Sequence, residues 1–173
     1  AVCAFSCYVW NQKYNLMMAK AIKDKYPNCV IEFGGPQIDA SWSEKYDFID
    51  SAICGYGELA FQELLIDIKN GNEIKPVYER KHLKLDKNQE GPYESPYLSG
   101  VMDKIIEDNP EVQWSVLLES TRGCPHRCTF CEWGNWFNQL QKINMDIVKK
   151  DIDWMQGKKV GFVMMGDANF GIF

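Results

Sequence analysis

The chain has 173 residues, of which 46% are hydrophobic, and its formal net charge is −5 at pH 7. This length and composition are ordinary for one or two globular domains, and no apolar run approaches the roughly 20 residues that a membrane-spanning helix needs. The negative charge and the scattered Lys and Arg residues argue against nucleic acid as a partner, because phosphate binding requires a basic patch.

The first 75 residues alternate between apolar runs and amphipathic stretches. A strand, a helix and a further strand in that order predict a βαβ unit with a parallel sheet, in which ligands bind at the carboxyl ends of the strands. The expected elements are strands at Val2–Val9, Cys29–Phe33 and Asp50–Cys54, and helices at Asn15–Tyr26 and Glu58–Lys69.

The regular spacing of apolar residues is lost between residues 76 and 100. Three prolines and a polar run there predict an extended linker, with a strand at Val77–Arg80. A second unit then covers residues 101–173. Its expected elements are helices at Val101–Glu107 and Asp146–Met155 and strands at Val112–Glu119 and Lys159–Met165.

The seven cysteines are odd in number, and four of them (Cys3, Cys7, Cys29 and Cys54) stand alone in apolar surroundings. This pattern does not suggest a set of disulfide bonds and indicates a reducing compartment. We therefore expect a cytoplasmic protein whose lone cysteines are small core residues. The chain begins with Ala1 and an apolar strand, without a signal-peptide pattern. We therefore expect it to be a piece of a longer protein, with residues missing at both ends.

The other three cysteines, Cys124, Cys128 and Cys131, lie within eight residues and directly follow a predicted strand. Soft thiolates select iron–sulfur clusters, zinc or copper. Three cysteines fill three corners of a four-iron cubane and leave one iron open, whereas a ferredoxin closes all four corners. A structural zinc site, with His126 or Cys54 as the fourth ligand, and a closed electron-transfer cluster are the alternatives. Structural zinc, however, generally uses two separated pairs of ligands.

The spacing Cys-x3-Cys-x2-Cys, with Phe130 before the third cysteine and Gly123 and Pro125 around the first, resembles the signature of radical S-adenosylmethionine (SAM) enzymes. The resemblance implies that a 4Fe–4S cluster binds SAM at its open iron and cleaves it reductively to a 5′-deoxyadenosyl radical. An electron donor such as flavodoxin or ferredoxin would then be a partner.

The resemblance also implies residues that bind SAM. Phe130 belongs to the signature itself. The segment after the second barrel strand contacts the SAM amino group in this family, and here it begins with Gly166 and Asp167, followed by Asn169. These residues depart from the usual Gly-Gly-Glu turn, and plain turn chemistry is the alternative interpretation of Asp167 and Asn169.

The first 75 residues resemble the cobalamin-binding domain that precedes many radical SAM barrels. Gly34 and Gly35 match the Gly-Gly at one strand end, and Ser6 matches the serine of a Ser-x-Leu motif, with Tyr8 in place of leucine. The third motif of these domains, an Asp-x-His-x-x-Gly loop, is absent from this sequence. The resemblance implies that the glycines border the nucleotide tail of cobalamin and that the Ser6 hydroxyl bonds its terminal base. A common strand-to-loop stop is the other interpretation of Gly-Gly-Pro.

Together these features predict an α/β protein. A partial doubly wound, Rossmann-like cobalamin-binding domain (residues 1–75) precedes the first βα units of a radical SAM partial TIM-type barrel (residues 101–173). The expected function of the complete protein is radical SAM chemistry with cobalamin as methyl carrier, acting on an unknown small-molecule or peptide substrate. This piece alone is expected to be inactive. A zinc-stabilised binding module without turnover is the competing hypothesis.

Overall fold

A computed structural model describes residues 1–80, 95–131, 133 and 140–172. The chain divides into two compact units, Ala1–Leu83 and Lys84–Phe173. Within the described residues, no helix is both long enough and apolar enough to cross a bilayer.

The first unit is an α/β domain built on one parallel sheet of four strands, in the order β1-β2-β3-β4. Its elements are β1 (Val2–Ser6), α1 (Gln12–Lys25), β2 (Val30–Gly34), α2 (Trp42–Lys45), β3 (Ser51–Gly55), α3 (Gly57–Asn70) and β4 (Val77–Arg80). This confirms the α/β class and the parallel sheet that the sequence predicted.

Two apolar clusters cover the two faces of this sheet. Ala19 of α1 and Trp42 of α2 pack with Ile31 and Phe33 of β2 on one face. On the other face, Leu64 of α3 packs with residues of β3 and β4. Since successive side chains of a strand point to opposite faces, β3 and β4 also present apolar residues, Ile53 and Tyr78, to the second face. The part of that face formed by β1 and β2 carries Ala4, Ser6 and Glu32 instead.

The lone cysteines mostly lie in this core. Cys7, Cys29 and Cys54 are buried and Cys3 is half-buried. Burial raises the pKa of the Cys54 thiol to about 11. The interpretation of these cysteines as small core residues is therefore confirmed for the three buried ones.

The first strand is shorter than predicted, whereas the last strand of the sheet has its predicted bounds. β1 ends at Ser6 rather than Val9, because the carbonyl of Tyr8 already accepts from the amides of Asn11 and Gln12 at the start of α1. The strand predicted at Val77–Arg80, inside the expected linker, is confirmed as β4 and pairs with β3. Helix α2 was not predicted.

The second unit contains a parallel pair, β5 and β8, and a short antiparallel pair, β6 and β7. Its elements are α4 (Val101–Glu107), β5 (Ser115–Leu118), β6 (Thr121–Arg122), β7 (Gln141–Lys142), α5 (Met145–Gly157) and β8 (Phe162–Met165). The Asn144 side chain accepts from the Asp146 amide and caps the start of α5.

Helix α5 packs on one face of the β5–β8 pair through Val148 and Met155, which meet Val116 and Leu118. A buried hydrogen bond from the Ser95 hydroxyl to Asp151 of α5, 2.5 Å long, attaches the segment before α4 to the same helix. The opposite face of the pair is apolar and exposed, with Leu117, Phe162 and Met164 among its residues.

Candidate functional site

The three clustered cysteines lie on a loop whose two ends are joined by a short ladder. β6 and β7 pair Thr121 with Lys142 and Arg122 with Gln141, which brings together the chain before Gly123 and the chain after residue 140. Gly123 enters this loop with a φ of 87°, a left-handed conformation that a residue with a side chain rarely adopts. The ladder therefore fixes where the loop starts and ends.

The loop presents all three cysteines as free thiols. Cys124 and Cys131 are half-buried and Cys128 is exposed, and a turn joins two of them through a 3.0 Å hydrogen bond from the Cys131 amide to the Cys128 carbonyl. Among the described residues, no three His, Cys, Asp or Glu side chains are arranged to hold a metal ion. The chemistry of the donor set still fits a thiophilic metal centre, because such ligands commonly come together only when the metal binds.

Two residues from the end of β8 contact the strand and loop that carry the cysteines. The Asn169 side-chain amide lies 2.9 Å from the Cys124 sulfur. A Cβ built on Gly166 would lie 3.0 Å from Cγ of Glu119, which is tighter than most real Cβ contacts. Gly166 thus allows the end of β8 to approach the end of β5 closely, while its place in the SAM site stays a prediction.

Asp167 bonds to the residues that precede the cysteine loop. Its carboxylate accepts from the Ser120 amide (3.0 Å), the Ser120 hydroxyl (2.7 Å) and the Thr121 hydroxyl (2.5 Å). Burial by itself would raise the pKa of Asp167, but the hydrogen bonds from Thr121 and Ser120 together hold that pKa below its ordinary value. The carboxylate is therefore ionised and already hydrogen-bonded to Ser120 and Thr121. Its contact with the SAM amino group stays a prediction.

Phe130 is 91% exposed and makes no core contribution in this structure. Arg122, two residues before the first cysteine, donates through Nε to Glu119 at 2.7 Å, and both side chains are mostly buried. The structure therefore places Asn169 and Gly166 beside the cysteine loop, while Phe130 faces solvent.

In the first unit, Ser6, Gly34 and Gly35 meet at the carboxyl ends of β1 and β2. Ser6 pairs with Gly34 in register, and the Cys7 amide donates to the Gly34 carbonyl at 2.7 Å. Gly35 has a φ of 105°, and a Cβ there would lie 2.7 Å from the Cys7 carbonyl oxygen. The sequence was right to place these residues together. The close contact with the Cys7 backbone also explains, without any cofactor, why residue 35 is a glycine.

Residues that the sequence reasoning missed also shape this end of the sheet. The side-chain amides of Asn11 and Asn15 both donate to the Ser6 carbonyl at 3.0 Å, which holds the end of β1 to the start of α1. Glu32 is buried in β2, and burial raises the pKa of its carboxyl to about 7. A charged residue inside the apolar run Cys29–Phe33 was the available signal for it.

Comparison with known proteins agrees with the resemblance to radical SAM enzymes and with the resemblance to cobalamin-binding domains. No protein-family model matches the chain. The cobalamin-dependent radical SAM methyltransferase TokK from Streptomyces tokunonensis is 34% identical over 99% of this chain and 28% of its own length. The chain belongs to the cobalamin-dependent radical SAM family.

A second relative of this chain is also named as a methyltransferase. The 2-(S-pantetheinyl)-carbapenam-3-carboxylate methyltransferase of Streptantibioticus cattleyicolor is 31% identical over 99% of the chain and 28% of its own length. An uncharacterised methyltransferase of Pyrococcus horikoshii is 29% identical over 66% of the chain. The chain thus spans a little over a quarter of the curated relatives that it matches.

Proposed function

We propose that this radical SAM family member holds a 4Fe–4S cluster on Cys124, Cys128 and Cys131 and cleaves SAM reductively. The observation that carries the proposal is the loop of three free thiols with the radical SAM spacing, in a chain that is 34% identical to TokK over 99% of its length. When bound, the cluster and SAM supply the electron and the carbon radical.

The chain's own residues would hold and orient these groups. The β6–β7 ladder fixes the loop, and Asn169 contacts Cys124. Hydrogen bonds donated to ligand sulfurs are among the factors that set a cluster's reduction potential. Gly166, Asp167, Asn169 and Phe130 are proposed to line the SAM site, with Asp167 already held in its ionised form by Ser120 and Thr121.

We propose cobalamin as the methyl carrier, bound at the carboxyl ends of β1 and β2. The fit rests on two features of that end of the sheet. Ser6 is exposed beside Gly34, and Gly34 leaves the space where a side chain would stand. Methyl transfer is proposed because the relatives carry methyltransferase names.

The remaining parts of the proposal follow from the family. The β5–α5–β8 unit, with its parallel pair and one exposed apolar face, is proposed as the start of a radical SAM partial barrel. Flavodoxin or ferredoxin is proposed as the electron donor, a small molecule or peptide as the substrate, and the cytoplasm as the location, which suits seven free thiols.

Product analysis tests the proposal directly. The whole protein, reconstituted anaerobically and given a chemical reductant and SAM, is expected to form 5′-deoxyadenosine, measured by liquid chromatography and mass spectrometry. This chain alone is expected to be inactive. Cys128→Ala should abolish this product, while Cys54→Ala, which changes a buried cysteine of the other unit, should keep it. Wild-type protein that binds iron and sulfide yet forms no 5′-deoxyadenosine would contradict the proposed reaction.

A further inference from the structure

Glu32 is an ionisable residue in the middle of a buried strand. It is 4% exposed, and among the described residues its Oε1 has no hydrogen-bond partner. Ser51, the residue opposite it on β3, is fully buried, and its hydroxyl oxygen is also without a partner there. Buried polar atoms are nearly always hydrogen-bonded. Two neighbouring exceptions therefore need an explanation.

The register of the sheet places both residues on the face that contains Ser6 and Gly34. Glu32 pairs with Ala4 of β1, and Gly34 pairs with Ser6. Because side chains alternate between the faces of a strand, Glu32 and Gly34 share one face with Ala4 and Ser6. Ala4 and Ser6 are exposed. Glu32 thus borders an open strip of sheet that runs to the predicted cobalamin site.

The Glu32 carboxyl lies next to Gly34. Its Oε1 lies 3.2 Å from the position that a Cβ on Gly34 would occupy. A side chain at residue 34 would therefore crowd the carboxyl as well as the strip itself. The absence of a side chain at Gly34 therefore leaves room for the Glu32 carboxyl on the face that Ser6 shares.

We propose that Glu32 and Ser51 form a binding contact for the nucleotide tail of cobalamin, with the Glu32 carboxyl donating a hydrogen bond to an acceptor atom of the tail. This inference rests on the proposed cobalamin binding and adds two residues that neither the sequence motifs nor the relatives' names point to. A pKa of about 7, raised by burial, leaves much of the carboxyl protonated at neutral pH and so able to donate. The contact would satisfy both orphaned oxygens when the cofactor is bound.

The test compares two corrinoids that differ by the tail. Affinities of cobalamin and of cobinamide, which lacks the nucleotide tail, are measured by absorbance titration on the full chain purified without corrinoid. Glu32→Met should weaken cobalamin binding between about twofold and about tenfold, the effect of one net hydrogen bond, and leave cobinamide binding unchanged. Glu32→Gln keeps a donor and should bind both as the wild type does.

Glu44→Met is the matched control, since Glu44 is an exposed glutamate of α2, which packs on the opposite face. It should change neither affinity. Should Glu32→Met fail to fold by circular dichroism, Ser51→Ala gives the same comparison. An unchanged ratio of cobalamin to cobinamide affinity overturns this inference alone. A wild-type chain that binds neither corrinoid overturns cobalamin binding, and this inference with it.

Discussion

Replacing Gly35 with alanine tests the packing at the carboxyl ends of β1 and β2. Gly35 has a φ of 105°, and its added Cβ would lie 2.7 Å from the Cys7 carbonyl oxygen and 2.8 Å from the Cys7 nitrogen. Both contacts are with backbone, which cannot rotate away as the end of a side chain can. The strand ends would have to separate, and the 2.7 Å bond from the Cys7 amide to the Gly34 carbonyl would weaken.

Gly71 is the matched control for this substitution. It follows α3 with a φ of 69°, and nothing lies within 4 Å of its added Cβ. Gly71→Ala therefore carries backbone strain alone, roughly 1–2 kcal/mol. Gly35→Ala adds a weakened hydrogen bond, worth about 0.5–1.5 kcal/mol, and a backbone clash, so its total should reach about 3 kcal/mol.

Urea denaturation gives the two free energies of unfolding, and hydrogen exchange localises the effect. The Cys7 amide should exchange faster in Gly35→Ala and stay protected in Gly71→Ala. Equal destabilisation by the two variants, with Cys7 still protected, would refute the proposed clash.

The remaining predictions concern ionisable groups and the cysteine loop. Glu32, whose pKa is raised from 4.5 to about 7 by burial, contributes stability that is fully present below about pH 4.5 and is lost as pH rises to about 7. Glu32→Gln should abolish that loss, so that it is more stable than wild type by roughly 3 kcal/mol at pH 8 in urea denaturation. Asp167→Asn should destabilise the second unit by about 1–3 kcal/mol at pH 7, because it disturbs three hydrogen bonds from Ser120 and Thr121. That difference should shrink as pH falls below the ordinary aspartate pKa of 3.8 and through the pKa of Asp167, which its hydrogen bonds lower beneath that value. Asn169→Ala should shift the reduction potential of the reconstituted cluster to more negative values, measured by redox titration, since it removes a donor to the Cys124 sulfur; an unchanged potential would show that the contact is absent in the loaded protein.

The elements that the sequence predicted best are those with strong local patterns. Helix α4 has the predicted bounds, Val101–Glu107, and α3 differs from its prediction by one residue at each end. The spacing of apolar residues predicts both helices, and the Asn70-Gly71 pair predicts the end of α3, because these signals do not depend on distant partners. The parallel sheet followed from the order of the elements.

The features that were missed depend on partners far along the chain. The β6–β7 pair joins residues 121–122 to residues 141–142, and neither two-residue strand has a local pattern that predicts it. Asp167 bonds with residues 46 and 47 positions before it, and a turn was an equally good interpretation from the sequence. Glu32 lay inside a predicted buried strand, but its lack of a partner is visible only once both faces of the sheet are known.

Metal analysis of cysteine variants tests the central claim most directly. Anaerobically reconstituted wild-type protein should be brown and contain iron and sulfide in the proportions of a 4Fe–4S cluster, with Cys124, Cys128 and Cys131 as its ligands. Alanine at any one of the three should remove the cluster, while Cys29→Ala and Cys54→Ala should leave it. A Cys128→Ala variant with full iron content, or a colourless wild-type protein holding zinc, would contradict the account.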